Sequence, residues 1–181
     1  MKSEVNGVLI VDGANWSHAL EGGRLRINYD RLVSRIQEVT GVKIVGLSYY
    51  TAYQTQIDLT RRWGFLTYLK NLGWQIQVMP ATMNVDGRWR DKEVDVAIAL
   101  DAYEEARSGA VGAVMIGSGD EDFAALFRRL PEGVNGWVIS FKKSLSQALR
   151  RVAKVVHIED LGVLYEARTP MDAGSPLITE G

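Results

Sequence analysis

The chain of 181 residues contains no cysteine. That excludes disulfide frameworks and zinc–thiolate sites, and it fits a reducing cytoplasm. No stretch is long and apolar enough to span a bilayer, and the start, M-K-S-E-V-N-G, lacks the apolar core of a signal peptide. The expectation is a cytoplasmic protein with no membrane partner. The formal net charge is −1. There is no global basic field, so a nucleic-acid partner needs a local basic surface. No internal repeat or low-complexity tract is evident.

Two catalytic patterns are incomplete. Gly117-Ser118-Gly119 resembles the start of a dinucleotide fingerprint, but Asp122 stands where the third glycine belongs, and acids there repel a pyrophosphate. No Walker-type lysine follows it. Ser118 lacks the G-x-S-x-G context of a serine hydrolase, and only His18 and His157 are available as bases.

What is present is organised around Ala113–Phe123, A-V-M-I-G-S-G-D-E-D-F. Val114, Met115 and Ile116 form a run suited to a buried strand. Gly117-Ser118-Gly119 breaks it, and Asp120, Glu121 and Asp122 follow. Phe123, Ala124, Leu126, Phe127 and Leu130 then recur at helical spacing. Taken alone, these acids read first as helix caps, with Ser118 or Asp120 at the N-cap, and only second as ligands of a divalent metal.

The pattern of strand, acid and glycine also stands near the start. Val8–Val11 runs into Asp12-Gly13-Ala14-Asn15, and residues 15–21 start a helix. Tyr29, Leu32, Val33, Ile36 and Val39 mark a second helix, stopped by Gly41. Val42–Tyr50 reads as a strand. Ile57–Leu72 reads as a helix with Leu59, Trp63, Leu66, Leu69 and Leu72 on one face. Trp74–Met79 alternates as a strand does, and 81–92 is a loop or hairpin. Val94–Ala106 is a helix with Val94, Ile98 and Ala102 on one face. Trp137–Phe141 is a strand, Ser144 caps a helix carrying Leu145, Leu149 and Val152, and Val155–Ile158 is a short strand. Glu159–Glu166 reads as a last helical turn or two. Alternation of strands and helices predicts a single α/β domain over 1–166, with a mainly parallel sheet covered on both faces as a three-layer sandwich. Residues 167–181 read as a flexible tail.

In a parallel sheet every strand ends on one edge. Asp12 and Asp120 follow two such strands, and Asp95 opens the helix that leads back into the central one. Three carboxylates from separate segments thus converge, which capping does not require. Crowded carboxylates raise one another's pKa, and a hard cation such as Mg²⁺ or Mn²⁺ relieves the repulsion. Such an ion suits hydrolysis at phosphorus. Asn15 and Ser118 are placed to orient water, ligands or phosphate. Asp122 is a further candidate ligand. Asp101, about 240° round the helix from Asp95, is a weaker one.

Arg88, Arg90 and Lys92, with Trp89 among them, lead directly into Asp95. A loop of that composition can grip a phosphate backbone and stack on a base. Lys142 and Lys143 follow a strand end, and Trp16 adjoins Asn15 as a further stacking candidate or as a core residue.

These residues resemble the NYN domain family of the PIN-like nuclease superfamily, in its bacterial branch of short stand-alone proteins. The resemblance rests on V-D-G-A-N-W at 11–16, K-E-V-D-V-A-I-A-L-D at 92–101 and I-G-S-G-D-E-D-F at 116–123. The later V-I-S-F and S-L-S-Q-A-L-R-R-V-A-K-V-V-H-I-E-D-L are similar to the family's closing strand, helix and strand. The likeness spans residues 5–165. It implies a Rossmann-like sheet, a Mg²⁺ or Mn²⁺ site and ribonuclease activity on single-stranded or structured RNA. Asp12, Asn15, Asp95 and Asp120 then take the family's active-site positions, while Asp101 and Asp122 match commonly acidic ones. Many relatives carry an aspartate after the alanine where this chain has Ala153-Lys154. A non-catalytic RNA-binding or regulatory module is the alternative, and a homo-oligomer is possible for either. A haloacid-type phosphatase is disfavoured, because Ala14 stands where its second aspartate belongs.

Overall fold

A computed structural model describes residues 5–20, 25–83, 85–87, 89–90 and 92–166. The chain runs β1 (Val5–Asp12), α1 (Gly13–Leu20), β2 (Leu25–Ile27), α2 (Tyr29–Thr40), β3 (Val42–Tyr53), α3 (Gln56–Asn71) and β4 (Gln75–Pro80). It continues with β5 (Thr82–Met83), β6 (Trp89–Arg90), α4 (Lys92–Arg107), β7 (Ala113–Gly117) and α5 (Ala124–Phe127). Then come β8 (Asn135–Ser140), α6 (Gln147–Arg150), β9 (Lys154–His157) and β10 (Leu164–Glu166).

Six strands form one sheet in the order β4-β3-β1-β7-β8-β9, and every neighbouring pair is parallel. The reason is legible in β1, whose side chains alternate between two cores. Leu9 and Val11 join Trp16 of α1, Leu32 and Ile36 of α2, and Leu69 of α3. Val8 and Ile10 join Ile98 and Ala102 of α4, Phe127 of α5 and Leu149 of α6. Both sheet faces are therefore covered. Each fully buried aliphatic side chain stabilises the fold by about 1.5–3 kcal/mol relative to exposure.

The strand order places β1 and β7 side by side, with Val11 opposite Gly117. From β1 the chain builds outward through β3 and β4. It then crosses back through α4 to β7 and builds outward the other way. The order reverses between β1 and β7, and in open α/β sheets ligands bind outside the strand ends at that reversal.

Several expected details differ. Trp63 is exposed. The buried stripe of α3 is centred on Leu66 and Leu69, and Trp63 lies about a quarter turn away. The helix after β7 is only a 3-10 turn, Glu121–Phe123, followed by one α turn. Pro131 disfavours helical backbone at Leu130 and stops it early. Ser146, not Ser144, caps α6, because its backbone N–H is tied to the Gly119 carbonyl at 3.0 Å and the helix starts after that anchor. Segment 159–166 is a 3-10 turn and then β10, which pairs antiparallel with the unexpected β2. Residues 81–92 contain a small antiparallel hairpin, β5 with β6. The proposed tail, 167–181, lies outside the described residues.

Candidate active site

Asp12 is the last residue of β1 and is only 5% exposed. Its Oδ1 accepts the backbone N–H groups of Ala14 and Asn15, both at 3.1 Å, so the carboxylate starts α1 as a cap. Its Oδ2 accepts the Ser118 hydroxyl at 3.1 Å. Three donors aimed at one buried acid suit an ionised carboxylate, which only accepts.

Ser118 is completely buried at the end of β7. While its Oγ donates to Asp12, it accepts the Asp120 N–H at 3.3 Å. Asn15 closes a second link: its Oδ1 accepts the Gly119 N–H at 3.0 Å. Side chains from the first strand end thus hold the backbone of the second. Asp120 in turn caps the 3-10 turn, with Oδ1 accepting the Asp122 N–H at 2.9 Å. Of the two expected caps, Asp120 takes the N-cap position and Ser118 does not.

The two glycines of G-S-G are needed for close approach. A Cβ on Gly119 would sit 2.1 Å from the Ser144 carbonyl oxygen, and one on Gly117 would sit 2.8 Å from the Trp16 ring. The segment after β8 therefore presses directly on the acidic loop. This brace was not read from the sequence. Its signal is S-F-K-K-S-L-S at 140–146, where Ser140 and Ser144 share a hydrogen bond at 3.1 Å.

Asp95 is half-buried in the first turn of α4. That helix packs on β1 and on the turn 121–123, which brings its N-terminal end to the same sheet edge. Asp122 is exposed on the turn itself. Asp101 is set apart. It accepts the Tyr50 hydroxyl, about 9 Å further along the helix axis than Asp95 at 1.5 Å per residue. It lines a polar cleft with Ser48, Gln75, Gln77 and Glu104. Burial first, then the bond to Asp101 and its charge, push the Tyr50 phenol well above its ordinary range.

The expected nucleic-acid contacts divide. Trp16 is corrected: it is 1% exposed, and its indole N–H donates to the Ile139 carbonyl at 3.3 Å. Packed into the core, it offers no open face for stacking, although it forms part of the wall of a hollow beside α1. Trp89 is exposed on β6. Lys143 is exposed as well, while the Lys142 ammonium pairs with Asp160. Arg88 lies outside the described residues, as do the side chains of Arg90 and Lys92.

Among the described residues, no group of three or more His, Cys, Asp or Glu is drawn close enough to hold a metal ion. The donors at this edge are nevertheless all oxygens, the kind a hard cation takes. Mg²⁺ commonly binds through one or two carboxylates, completed by water and substrate phosphate. The residues fit such an ion in that limited sense.

Next to the acids, the Tyr49 ring lies against Gly13, where an added Cβ would fall 2.5 Å from the phenol oxygen. Burial above all raises the Tyr49 phenol to about 12; the Ser17 and Tyr29 hydroxyls act against the rise, and the nearby Asp12 charge acts with it. Nothing in the sequence pattern singled Tyr49 out.

No curated protein matches the chain. A crystal structure of a protein of unknown function from Vibrio parahaemolyticus is similar in fold, with a TM-score of 0.73 and 24% identity. The match covers 91% of this chain and 99% of that one. Residues 7–161 match the NYN domain. The chain belongs to the NYN domain family, whose members are generally nucleases of the PIN-like superfamily.

Proposed function

We propose that the protein is a metal-dependent ribonuclease that hydrolyses RNA phosphodiester bonds at the β1–β7 edge. The observation that carries this reading is the Asp12–Ser118–Asp120 chain of hydrogen bonds, locked by Asn15 onto Gly119 where the strand order reverses. Capping alone does not require two neighbouring strand ends to be cross-linked through buried polar side chains.

Asp12, Asp95 and Asp120 are the residues that would hold Mg²⁺ or Mn²⁺, with Asp122 at the rim. When bound, such an ion neutralises phosphate charge and eases ionisation of water. The chain's own work is positioning. Ser118 fixes the rotamer of Asp12. Asn15 holds the Gly119–Asp120 backbone and offers its amide nitrogen as a donor to phosphate. Lys143 supplies positive charge, and Trp89 offers a face to an unpaired base. Arg88, Arg90 and Lys92 add charge in the segment leading to α4. No described helix is long and apolar enough to cross a membrane, and we assign the activity to the cytoplasm.

A second reading, a non-catalytic RNA-binding module, draws support from the lack of a three-carboxylate group among the described residues. One experiment separates the two. Purified protein is incubated with labelled single-stranded RNA in Mn²⁺ or chelator, beside Asp12→Asn and Asp120→Asn variants checked for folding by circular dichroism. The ribonuclease reading expects products from the wild type in Mn²⁺ only, and none from either variant. Undiminished cleavage by both variants sinks it, and binding without metal-dependent products favours the module.

A further inference from the structure

A cavity of about 640 Å³ opens on the side of α1 away from Ser118. Its volume falls in the range of small-molecule pockets, roughly 300–1,000 Å³. The floor is formed by Tyr29 and Tyr49, both buried. The rim carries Phe65, Tyr68 and Tyr165, which are 39%, 37% and 52% exposed, and the Arg26 side chain. Tyr29 meets Tyr49 and Phe65 at ring-centroid distances of 6.4 and 5.5 Å with interplanar angles of 76° and 63°. Tyr49 meets Phe65 at 79°. Edge-to-face packing means that none of these three pairs is stacked in parallel.

Elementary costs argue that this hollow is for a ligand. Phe65 packs edge-to-face on the floor and Tyr68 donates its hydroxyl to Asp30, yet all three rim rings keep a third or more of their surface open, and grouped apolar exposure of that kind marks binding surfaces. The polar handles suit a particular guest. The Tyr49 phenol and the Ser17 hydroxyl both stand at the wall. Arg26, at the mouth, donates from Nη1 to the Leu25 carbonyl at 2.8 Å, and a planar guanidinium so held is a group that pairs with phosphate or lies over a ring. Flat aromatic faces with a few donors and a guanidinium are how proteins take single bases.

Location gives the guest its place. The Tyr49 ring that floors the cavity touches Gly13, the residue directly after Asp12. Asn15 and Ser17 stand two residues apart on α1, one tied to the acidic loop and the other lining the cavity. A strand threaded over the start of α1 therefore meets the acids and the cavity in succession.

We propose that this aromatic cavity is a nucleobase site, taking one unpaired base beside the phosphate held at the acids. The placement along RNA rests on the ribonuclease reading; the base chemistry does not. The base can come from the RNA strand or from a free nucleotide.

The test reads binding in chelator, where metal-dependent cleavage is silent. Single-stranded tetranucleotide RNAs, intact or with one abasic position, and the four mononucleotides are titrated by calorimetry. The proteins are wild type, Tyr165→Ser, Arg26→Ala and Phe65→Ala. Phe65 also packs on Tyr29 and Tyr49, so its variant is scored only beside a melting curve; Tyr165 is a rim residue that spares the core. Removing the base at one position should weaken wild-type binding about 5- to 150-fold. Tyr165→Ser should cause a loss in that range for the intact RNA and little for the abasic one. Base-dependent binding that Tyr165→Ser weakens, seen with RNA but not with mononucleotides, assigns the base to the RNA strand. Equal base-dependent binding of mononucleotides assigns it to a free nucleotide, and both results support the site. Equal affinity for intact and abasic RNA, together with mononucleotide binding unchanged in Tyr165→Ser and Arg26→Ala, overturns it. Base-dependent binding without Mn²⁺-dependent cleavage removes the ribonuclease reading and leaves the cavity. Cleavage with base-independent binding does the reverse.

Discussion

Ser118→Ala tests the architecture of the site more sharply than loss of an acid, because the serine has no chemical role of its own in the proposed reaction. Its Oγ is fully buried and makes two bonds, to Asp12 Oδ2 at 3.1 Å and from Asp120 N at 3.3 Å. The first is a hydrogen bond to a carboxylate, a class that contributes about 1.5–3 kcal/mol. The second is long, and its loss leaves a half-buried N–H without this partner. The two losses share one atom and do not simply add. A net destabilisation of about 2–3 kcal/mol is expected. For a chain of this size that lowers Tm by roughly 4–12 °C. The rate of RNA cleavage by the folded protein should fall as well, by about 10- to 100-fold, because Asp12 loses the donor that fixes its rotamer. Thermal melting by circular dichroism and initial rates on labelled RNA measure the two effects. A double-mutant cycle with Asp12→Ala isolates the shared bond. In the Asp12→Ala background, Ser118→Ala should cost clearly less than in the wild type. An unchanged Tm, or the same cost in both backgrounds, refutes the claim that this serine links the two strand ends.

Two further outcomes follow from local geometry. Gly119→Ala places a Cβ 2.1 Å from a backbone oxygen of Ser144, so the loop must move; a loss of about 1–3 kcal/mol or more by urea denaturation is expected, and wild-type stability would show that the segment after β8 does not brace the acids. Burial raises the Tyr49 phenol from its ordinary value of 10.0 to about 12, so its contribution to stability is intact below pH 10 and is lost as pH rises to about 12; the fall of roughly 2–3 kcal/mol should be reduced in Tyr49→Phe when urea denaturation is compared at mildly and strongly alkaline pH, and an equal fall in both proteins would refute the assignment.

The parallel sheet was legible because its central strands are buried on both faces and so read as unbroken apolar runs. Val8–Val11 and Val114–Ile116 announce themselves in this way, and each ends in glycine and acid. Convergence of Asp12 and Asp120 then needed only the rule that parallel strands end together. The parts that were not legible depend on contacts between distant segments. β2 and β10 are three residues each and pair with one another across most of the chain; neither has a period of its own. Ser144 and Ser146 are equivalent as caps by local preference, and a bond to the Gly119 carbonyl decides between them. Trp16 follows Asn15 in the motif, yet one step round the helix carries it from the acidic loop into the core. Asp101 shows the opposite case. Its angle round α4 already separated it from Asp95, and its bond to Tyr50 agrees with that separation.

The competition between capping and metal binding resolves atom by atom. Asp12 spends Oδ1 on two backbone donors and Oδ2 on Ser118. An ionised carboxylate has about four acceptor positions, so Asp12 is largely committed to holding the fold. Asp120 commits Oδ1 to the turn, and no hydrogen bond reaches its Oδ2 among the described residues. Of these two acids, Asp12, which organises the edge, is the more occupied, and Asp120, across the Ser118 link, is the more available. A cation arriving here meets a small number of open protein oxygens and must complete its shell from water and phosphate. That is the regime in which Mg²⁺ binds well through substrate, and it explains how one set of aspartates can both cap two turns and, in the proposed reaction, serve a metal that the substrate helps to hold.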